Sequence, residues 1–339
     1  MEHVFQYPHP FELESGQCLP SLTVVYHTYG QLNADASNVV WVCHALTANA
    51  DVVDWWKGVV GPGAAIDPAK HFIVCANMLG SCYGSSGPLS LNPATNLPWY
   101  HSFPRITIRD MVQAHQLLFQ HLQLKQLHLL MGGSMGGYQA LEWAAMYPEQ
   151  VERLFLIGTS AQESAWGIAI HTAQRMAIEA DLSWQDGHAE AGRKGLMAAR
   201  AIGMLTYRNY GAMVRNQTDP DPQKLDQFKA SSYIQYQGEK LANRFHASSY
   251  WLLTKAMDSH HIGRGRGASV EAVLKRLSMP TLLIGIHSDI LCPPEEQQLL
   301  AAHMPQSRLV LIDSAYGHDG FLVEAATISQ ILVDWLPQK

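Results

Sequence analysis

The sequence predicts an α/β fold: a mostly parallel sheet with helices on both faces, interrupted by a helical insertion. Three features carry that expectation. Short apolar runs alternate with helix patterns through the first half of the chain. The stretch Leu127–Tyr147, LHLLMGGSMGGYQALEWAAMY, joins an apolar run to an alanine-rich helix pattern through Gly132-Gly133-Ser134-Met135-Gly136-Gly137. A long segment without strand runs then precedes two further strands.

Leu22–Tyr29, LTVVYHTY, alternates and is rich in β-branched and aromatic residues, so it reads as an antiparallel strand. Val39–Cys43, VVWVC, is a buried strand that runs into His44-Ala45-Leu46-Thr47. His71–Ala76 is the next strand. Residues 77–93 are dense in glycine, serine and proline and predict a long irregular loop. Ile108–Leu122 carries apolar residues at helical spacing behind Thr107, a plausible N-cap. Arg153–Gly158, RLFLIG, follows the alanine-rich helix as another strand. From about Ala161 to Val270 the pattern is helical: Ile168–Ala180, Glu190–Leu205, Lys224–Gln237 and Ala242–Met257. The loop His260–Gly267 reads as solvated. Strand character resumes at Thr281–Ile286 and again at Leu309–Ile312, with helices near Glu295–His303 and Val323–Leu336. The expected organisation is therefore a core of residues 1–160 and 271–339 carrying a helical lid at 161–270.

The chain of 339 residues is 47% hydrophobic and 15% charged, which suits a globular domain with a large core. A net charge of −6 gives no electrostatic case for nucleic acid or an anionic membrane. No apolar run is long enough to span a bilayer, and the first ten residues lack the basic and apolar regions of a signal peptide. Five scattered cysteines without a CxxC fit a reducing cytoplasm. No metal motif, dinucleotide fingerprint or Walker loop is present, so neither a metal nor a bound cofactor is expected.

Gly132-Gly133-Ser134-Met135-Gly136 fits the Gly-X-Ser-X-Gly pattern of a nucleophile elbow, in which the serine sits on a sharp strand-to-helix turn. Side chains in place of the glycines would collide with the strand and helix. The helix beginning at Met135 points free N–H groups at any oxyanion formed beside the serine. A serine hydroxyl needs a base, and the base an orienting carboxylate. In the α/β-hydrolase arrangement these follow in the order Ser, Asp or Glu, His, each after a strand. Asp289 follows TLLIGI and His318 follows LVLI, in that order. The oxyanion hole would combine the Met135 N–H with one from the loop after VVWVC, by position that of Leu46. Arg200 on the insertion and Asp319 beside His318 have the chemistry to hold the carboxylate and ammonium of an amino-acid acceptor, although on the residues alone a surface salt bridge is the favoured reading of each.

The same residues lie in blocks that resemble the homoserine O-acetyltransferase family of the α/β-hydrolase superfamily. The blocks are HALT at 44–47, WW at 55–56, GPG at 61–63, NMLG at 77–80, YGSSGP at 83–88, NPAT at 92–95 and TIRDMV at 107–112. They continue with GGSMGGYQALEWA at 132–144, LTYR at 205–208, SYIQYQGEK at 232–240 and YGHDGFLVE at 316–324. The resemblance implies a ping-pong transfer from acetyl-CoA, as substrate rather than resident cofactor, to the hydroxyl of L-homoserine, a step of methionine biosynthesis. It implies Ser134, Asp289 and His318 as the triad, Arg200 and Asp319 as the acceptor-binding pair, and a homodimer joined through the helical lids. HALTANA and LGSCYG depart from the commoner HALTGNA and LGGCYG in ways that bear on the acyl pocket, which leaves a succinyl donor open; relatives of the family that acylate serine leave a serine acceptor open, and a triad by itself leaves open an ester or thioester hydrolase.

Overall fold

The computed structural model describes residues 1–337. Eight strands form one sheet: β1 (Glu2–Tyr7), β2 (Leu22–Tyr29), β3 (Val39–Cys43), β4 (Phe72–Ala76), β5 (Leu129–Gly133), β6 (Leu154–Ile157), β7 (Thr281–Ile286) and β8 (Ser307–Ile312). Their spatial order is β1-β2-β4-β3-β5-β6-β7-β8. β2 runs antiparallel to both neighbours, and every pairing from β4 to β8 is parallel. The central strands are buried on both faces because helices cover both. Alternation along β3 divides its side chains accordingly. Val39, Trp41 and Cys43 enter one apolar layer, Val40 and Val42 the other.

The helices are α1 (Ile108–His121), α2 (Met135–Met146), α3 (Ala165–Glu179), α4 (Arg193–Tyr207), α5 (Tyr210–Gln217), α6 (Lys229–Ala242), α7 (Ala247–Asp258), α8 (Pro294–His303) and α9 (Ala325–Trp335), with shorter turns between. Thr107 caps α1 in a reciprocal box: its side chain accepts from the Asp110 N–H, and the Asp110 carboxylate accepts from the Thr107 N–H at 2.8 Å. Helices α3–α7 fall between β6 and β7. Within that group α4 packs against both α3 and α6. No described helix is long and apolar enough to cross a membrane.

Two local expectations change. Residues 77–93 are irregular, but a small hairpin, Leu91–Asn92 with Leu97–Pro98, extends the loop beyond them. The loop at 260–267 is not a solvated connection. His260 is buried and stacks on Tyr138 at 4.1 Å. Arg266 grips both carboxylate oxygens of Glu142, at 2.7 and 3.0 Å, and Arg109 Nε donates to the same group at 2.7 Å. Glu142 is buried on α2, and leaving its charge unpaired there would be costly, so two arginines surround it. The glycines of this loop let the chain bring Arg266 down onto the elbow helix.

Candidate active site

Ser134 sits between β5 and α2 with φ 54° and ψ −129°, a conformation that costs a non-glycine residue on the order of 1–3 kcal/mol. The turn is over-determined. Ser134 N–H donates to the Ile157 carbonyl at 3.0 Å, and Thr159 Oγ1 donates to the Ser134 carbonyl at 2.9 Å. A Cβ at Gly132 would lie 2.2 Å from the Gly136 oxygen, and one at Gly136 would lie 2.1 Å from the Cys43 oxygen. Both contacts are with backbone, so no side-chain adjustment relieves them, and the flanking glycines are sterically required.

Asp289 and His318 meet from the loops after β7 and β8. His318 Nδ1–H donates to Asp289 Oδ2 at 2.7 Å. Asp289 Oδ1 accepts from the N–H groups of Leu291 and Cys292 at 2.8 and 2.9 Å. The carboxylate is thereby fixed at both oxygens. His318 Nε2 is buried and has no hydrogen-bond partner among the described residues. Burial by itself would lower the imidazole pKa. The Asp289 charge and hydrogen bond, with a further contribution from Asp319, outweigh it and raise the pKa above the ordinary histidine value.

A cavity of about 350 Å³ brings Ser134 and His318 together with Leu46, Arg200, Tyr207, Lys240, Arg244 and Asp319. Neither the Leu46 nor the Met135 N–H makes a hydrogen bond among the described residues. Two backbone donors therefore remain unpaired among the described residues, one at the start of α2 and one in the loop after β3.

Arg200 and Asp319, expected as an acceptor-binding pair, are arranged differently from a simple clamp. Asp319 forms its ion pair with Arg208, Nε to Oδ2 at 3.1 Å, without hydrogen-bond alignment. Arg200 stands over the Tyr207 ring, 5.2 Å from its centroid, and its Nε is buried without a partner. Burial raises the Asp319 pKa, opposed by the charges of Arg208, Arg200 and His318. Among the charged and aromatic residues, Tyr207, Lys240 and Arg244, which line the cavity, and Arg208, which pairs with Asp319, are not singled out by sequence reading. The seven-residue spacing of Arg200 and Tyr207 was a usable signal, since it places both on one face of α4. Nothing in the spacing identifies Arg208 as the partner of Asp319, because that pairing spans two distant loops.

Residues 38–325 match the family model for the alpha/beta hydrolase fold. The homoserine O-acetyltransferase of Cyclobacterium marinum is 47% identical over 98% of this chain and 94% of its own length. That of Chlorobaculum parvum is 49% identical over 97% of this chain and 93% of its own. Among solved structures, homoserine O-acetyltransferase from Bacillus anthracis superposes with a TM-score of 0.91 at 25% identity, covering 100% of this chain and 98% of that one.

Proposed function

Because the chain belongs to the homoserine O-acetyltransferase family of the α/β-hydrolase superfamily, we propose that it transfers the acetyl group of acetyl-CoA to the hydroxyl of L-homoserine, giving O-acetyl-L-homoserine and CoA. The observation that carries this reading is one cavity lined by Ser134, by His318 with its Nε2 unpartnered, and by the opposite charges of Arg200 and Asp319.

His318 Nε2 takes the proton of Ser134 as Oγ attacks the thioester carbonyl. The resulting oxyanion faces the N–H groups of Leu46 and Met135. The tetrahedral intermediate collapses, the C–S bond breaks, and His318 returns the proton to the departing thiolate. Homoserine then binds with its carboxylate toward Arg200 and its ammonium toward Asp319. His318 takes the hydroxyl proton, the oxygen attacks the acetyl-serine ester, and Ser134 leaves with that proton. The lid restricts water, so transfer outruns hydrolysis. Acetyl-CoA enters as a donor substrate, with no resident cofactor or metal. The five free cysteines suit a cytoplasmic location.

CoA release tests the reading. Acetyl-CoA or succinyl-CoA is offered with L-homoserine, L-serine or no acceptor. Fast release requires acetyl-CoA and homoserine together. Equal release without an acceptor would make the protein a hydrolase, and preference for succinyl-CoA or serine would change the substrate but keep the chemistry. Arg200→Ala is expected to raise the KM for homoserine by about 10²-fold, as loss of a charge-assisted clamp of ~2–3 kcal/mol implies, while acylation by the donor continues. A KM within twofold of wild type would remove Arg200 from the acceptor site.

The raised pKa of His318 also has a measurable sign. The base works only when deprotonated, so the acid limb of acylation by p-nitrophenyl acetate should lie above the ordinary histidine range of about 6.5. Asp319→Asn removes one neighbouring negative charge and should move that limb to lower pH. An unmoved or upward-moved limb would contradict the charge assignment.

The insertion leaves apolar side chains in solvent, among them Leu205, Tyr210, Val214, Phe228 and Tyr236 on or beside α4, α5 and α6. Their exposure supports a homodimer formed through the lids. Light scattering should give twice the monomer mass, and a monomer at micromolar concentration would refute the pairing.

A further inference from the structure

Arg244 follows α6 on the helical insertion, yet its guanidinium is committed to the core. Nη1 donates to the Thr47 carbonyl at 2.5 Å and to the Tyr83 hydroxyl oxygen at 2.7 Å. Thr47 is the residue after Leu46. The loop that carries both is held by core groups at its two ends. At one end the Met78 N–H donates to His44 Nε2 at 3.1 Å, and Gln139 Nε2 donates to the His44 carbonyl at 3.2 Å. Burial lowers the His44 pKa to about 4, so Nε2 keeps its lone pair for Met78 at neutral pH. At the other end the Ala50 N–H donates to Asn77 Oδ1 at 2.7 Å, and Asn77 Nδ2 donates to the Tyr83 carbonyl at 2.8 Å. Between these anchors the Ala45 carbonyl accepts from the Ala48 N–H at 3.0 Å and from His44 Nδ1 at 2.9 Å, and the Asn49 carbonyl accepts from Trp55 Nε1 at 2.8 Å. Among the described residues, Arg244 makes the one hydrogen bond from the insertion to this loop, and it lands at the loop's apex. The bond to Tyr83 ties the same guanidinium to the second loop, which itself holds Asn77.

We propose that Arg244 is a positioning residue that sets the Leu46 N–H in the oxyanion hole from the helical insertion. The inference rests on the reading that this N–H faces the oxyanion. The Thr47 carbonyl shares its peptide plane with the Ala48 N–H, which donates to the Ala45 carbonyl at 3.0 Å, and that carbonyl shares its plane with the Leu46 N–H; a charged donor on Thr47 therefore steadies the Leu46 N–H through this turn. An oxyanion donor misplaced by a fraction of an ångström stabilises the transition state far less than a well-aimed one. The insertion is therefore part of the acyl-transfer machinery as well as a cover, because the hole takes its working geometry only when α6 and the turn after it are docked.

The test uses Arg244→Met and Arg244→Lys in the full-length protein. Acylation of Ser134 is followed with p-nitrophenyl acetate, which carries no phosphate, and with acetyl-CoA. Arg244→Met should slow acylation by both donors about 10- to 100-fold, less than the ~10²–10³ lost when an oxyanion donor is deleted outright. Arg244→Lys, which keeps a charge but reaches one acceptor, should fall between Met and wild type. Affinity for a trifluoromethyl ketone, whose serine adduct places an oxyanion in the hole, should weaken in parallel with the acylation rate. The KM for homoserine should stay within about twofold. A defect with acetyl-CoA alone would mean that Arg244 meets the donor's phosphates instead, and would overturn the proposal. Undiminished ketone affinity would overturn it as well. Failure of the wild-type protein to transfer acetyl to homoserine, with normal acylation by both donors, would refute the proposed function and leave this inference standing.

Discussion

Ser134→Ala is expected to reduce CoA release by about 10⁵- to 10⁶-fold while leaving the fold intact. Alanine keeps the Cβ that already occupies the left-handed backbone at this position, so the turn gains no new strain. The hydrogen bonds that hold the turn use the Ser134 N–H and carbonyl and survive the change. Only the oxygen that would carry the acetyl group disappears. Intact-mass measurement after mixing with acetyl-CoA alone should find one acetyl adduct on the wild-type chain and none on the variant. Turnover above a hundredth of wild type would mean that the acetyl group passes directly from donor to acceptor.

Asp289→Asn is expected to cost about 10⁴-fold in acylation rate, and the geometry says why. The Leu291 and Cys292 N–H groups both point at Oδ1. In the variant they select the amide oxygen for that position and turn the NH₂ toward His318 Nδ1. An NH₂ donates, so it favours the tautomer with the proton on Nε2, the nitrogen that must accept from Ser134. The variant thus keeps every heavy atom in place and reverses the direction of one proton. Loss of the Asp289 charge also removes the main influence that raises the His318 pKa. Stopped-flow acylation with p-nitrophenyl acetate measures the effect directly. Retention of more than a tenth of the wild-type rate would detach Asp289 from the base.

The parts of this architecture that the sequence announces are those governed by local chemistry. β3 and β7 are fully buried runs between polar loops, and their expected limits, Val39–Cys43 and Thr281–Ile286, coincide with the strands observed. The glycines around Ser134 are dictated by backbone clashes within a few residues, so the elbow is visible without tertiary information. β1 escapes because only Phe5 of its six residues is buried, and an edge strand with polar residues on the open side has no strong pattern. In the insertion α3 begins at Ala165, three residues before the expected Ile168, whereas α4, α6 and α7 begin later than periodicity alone suggests. α4 waits for Gly192, whose backbone is left-handed, and α6 waits for Asp219, whose carboxylate accepts the Lys229 N–H at 2.8 Å from ten residues away. α5 buries only Ala212 and has little apolar stripe to find. The Ser, Asp, His order after successive strands is legible along the chain. The Arg208–Asp319 and Arg244–Thr47 contacts are not, because each joins segments that only the folded sheet and insertion bring together.

The position of the insertion also governs how the chain is made. β6 has four residues, all buried, and its partner on one side is β7, which lies beyond the whole helical segment. While the ribosome is still producing α3–α7, the completed part of the sheet ends in a naked apolar edge, the kind of surface that recruits other strands. The emerging helices are the only material at hand to shield it. Ser134 lies before the insertion and His318 after it, so the half-made chain lacks its base and cannot consume thioester. Reactivity arrives last, when β7 and β8 close the edge and deliver Asp289 and His318 together.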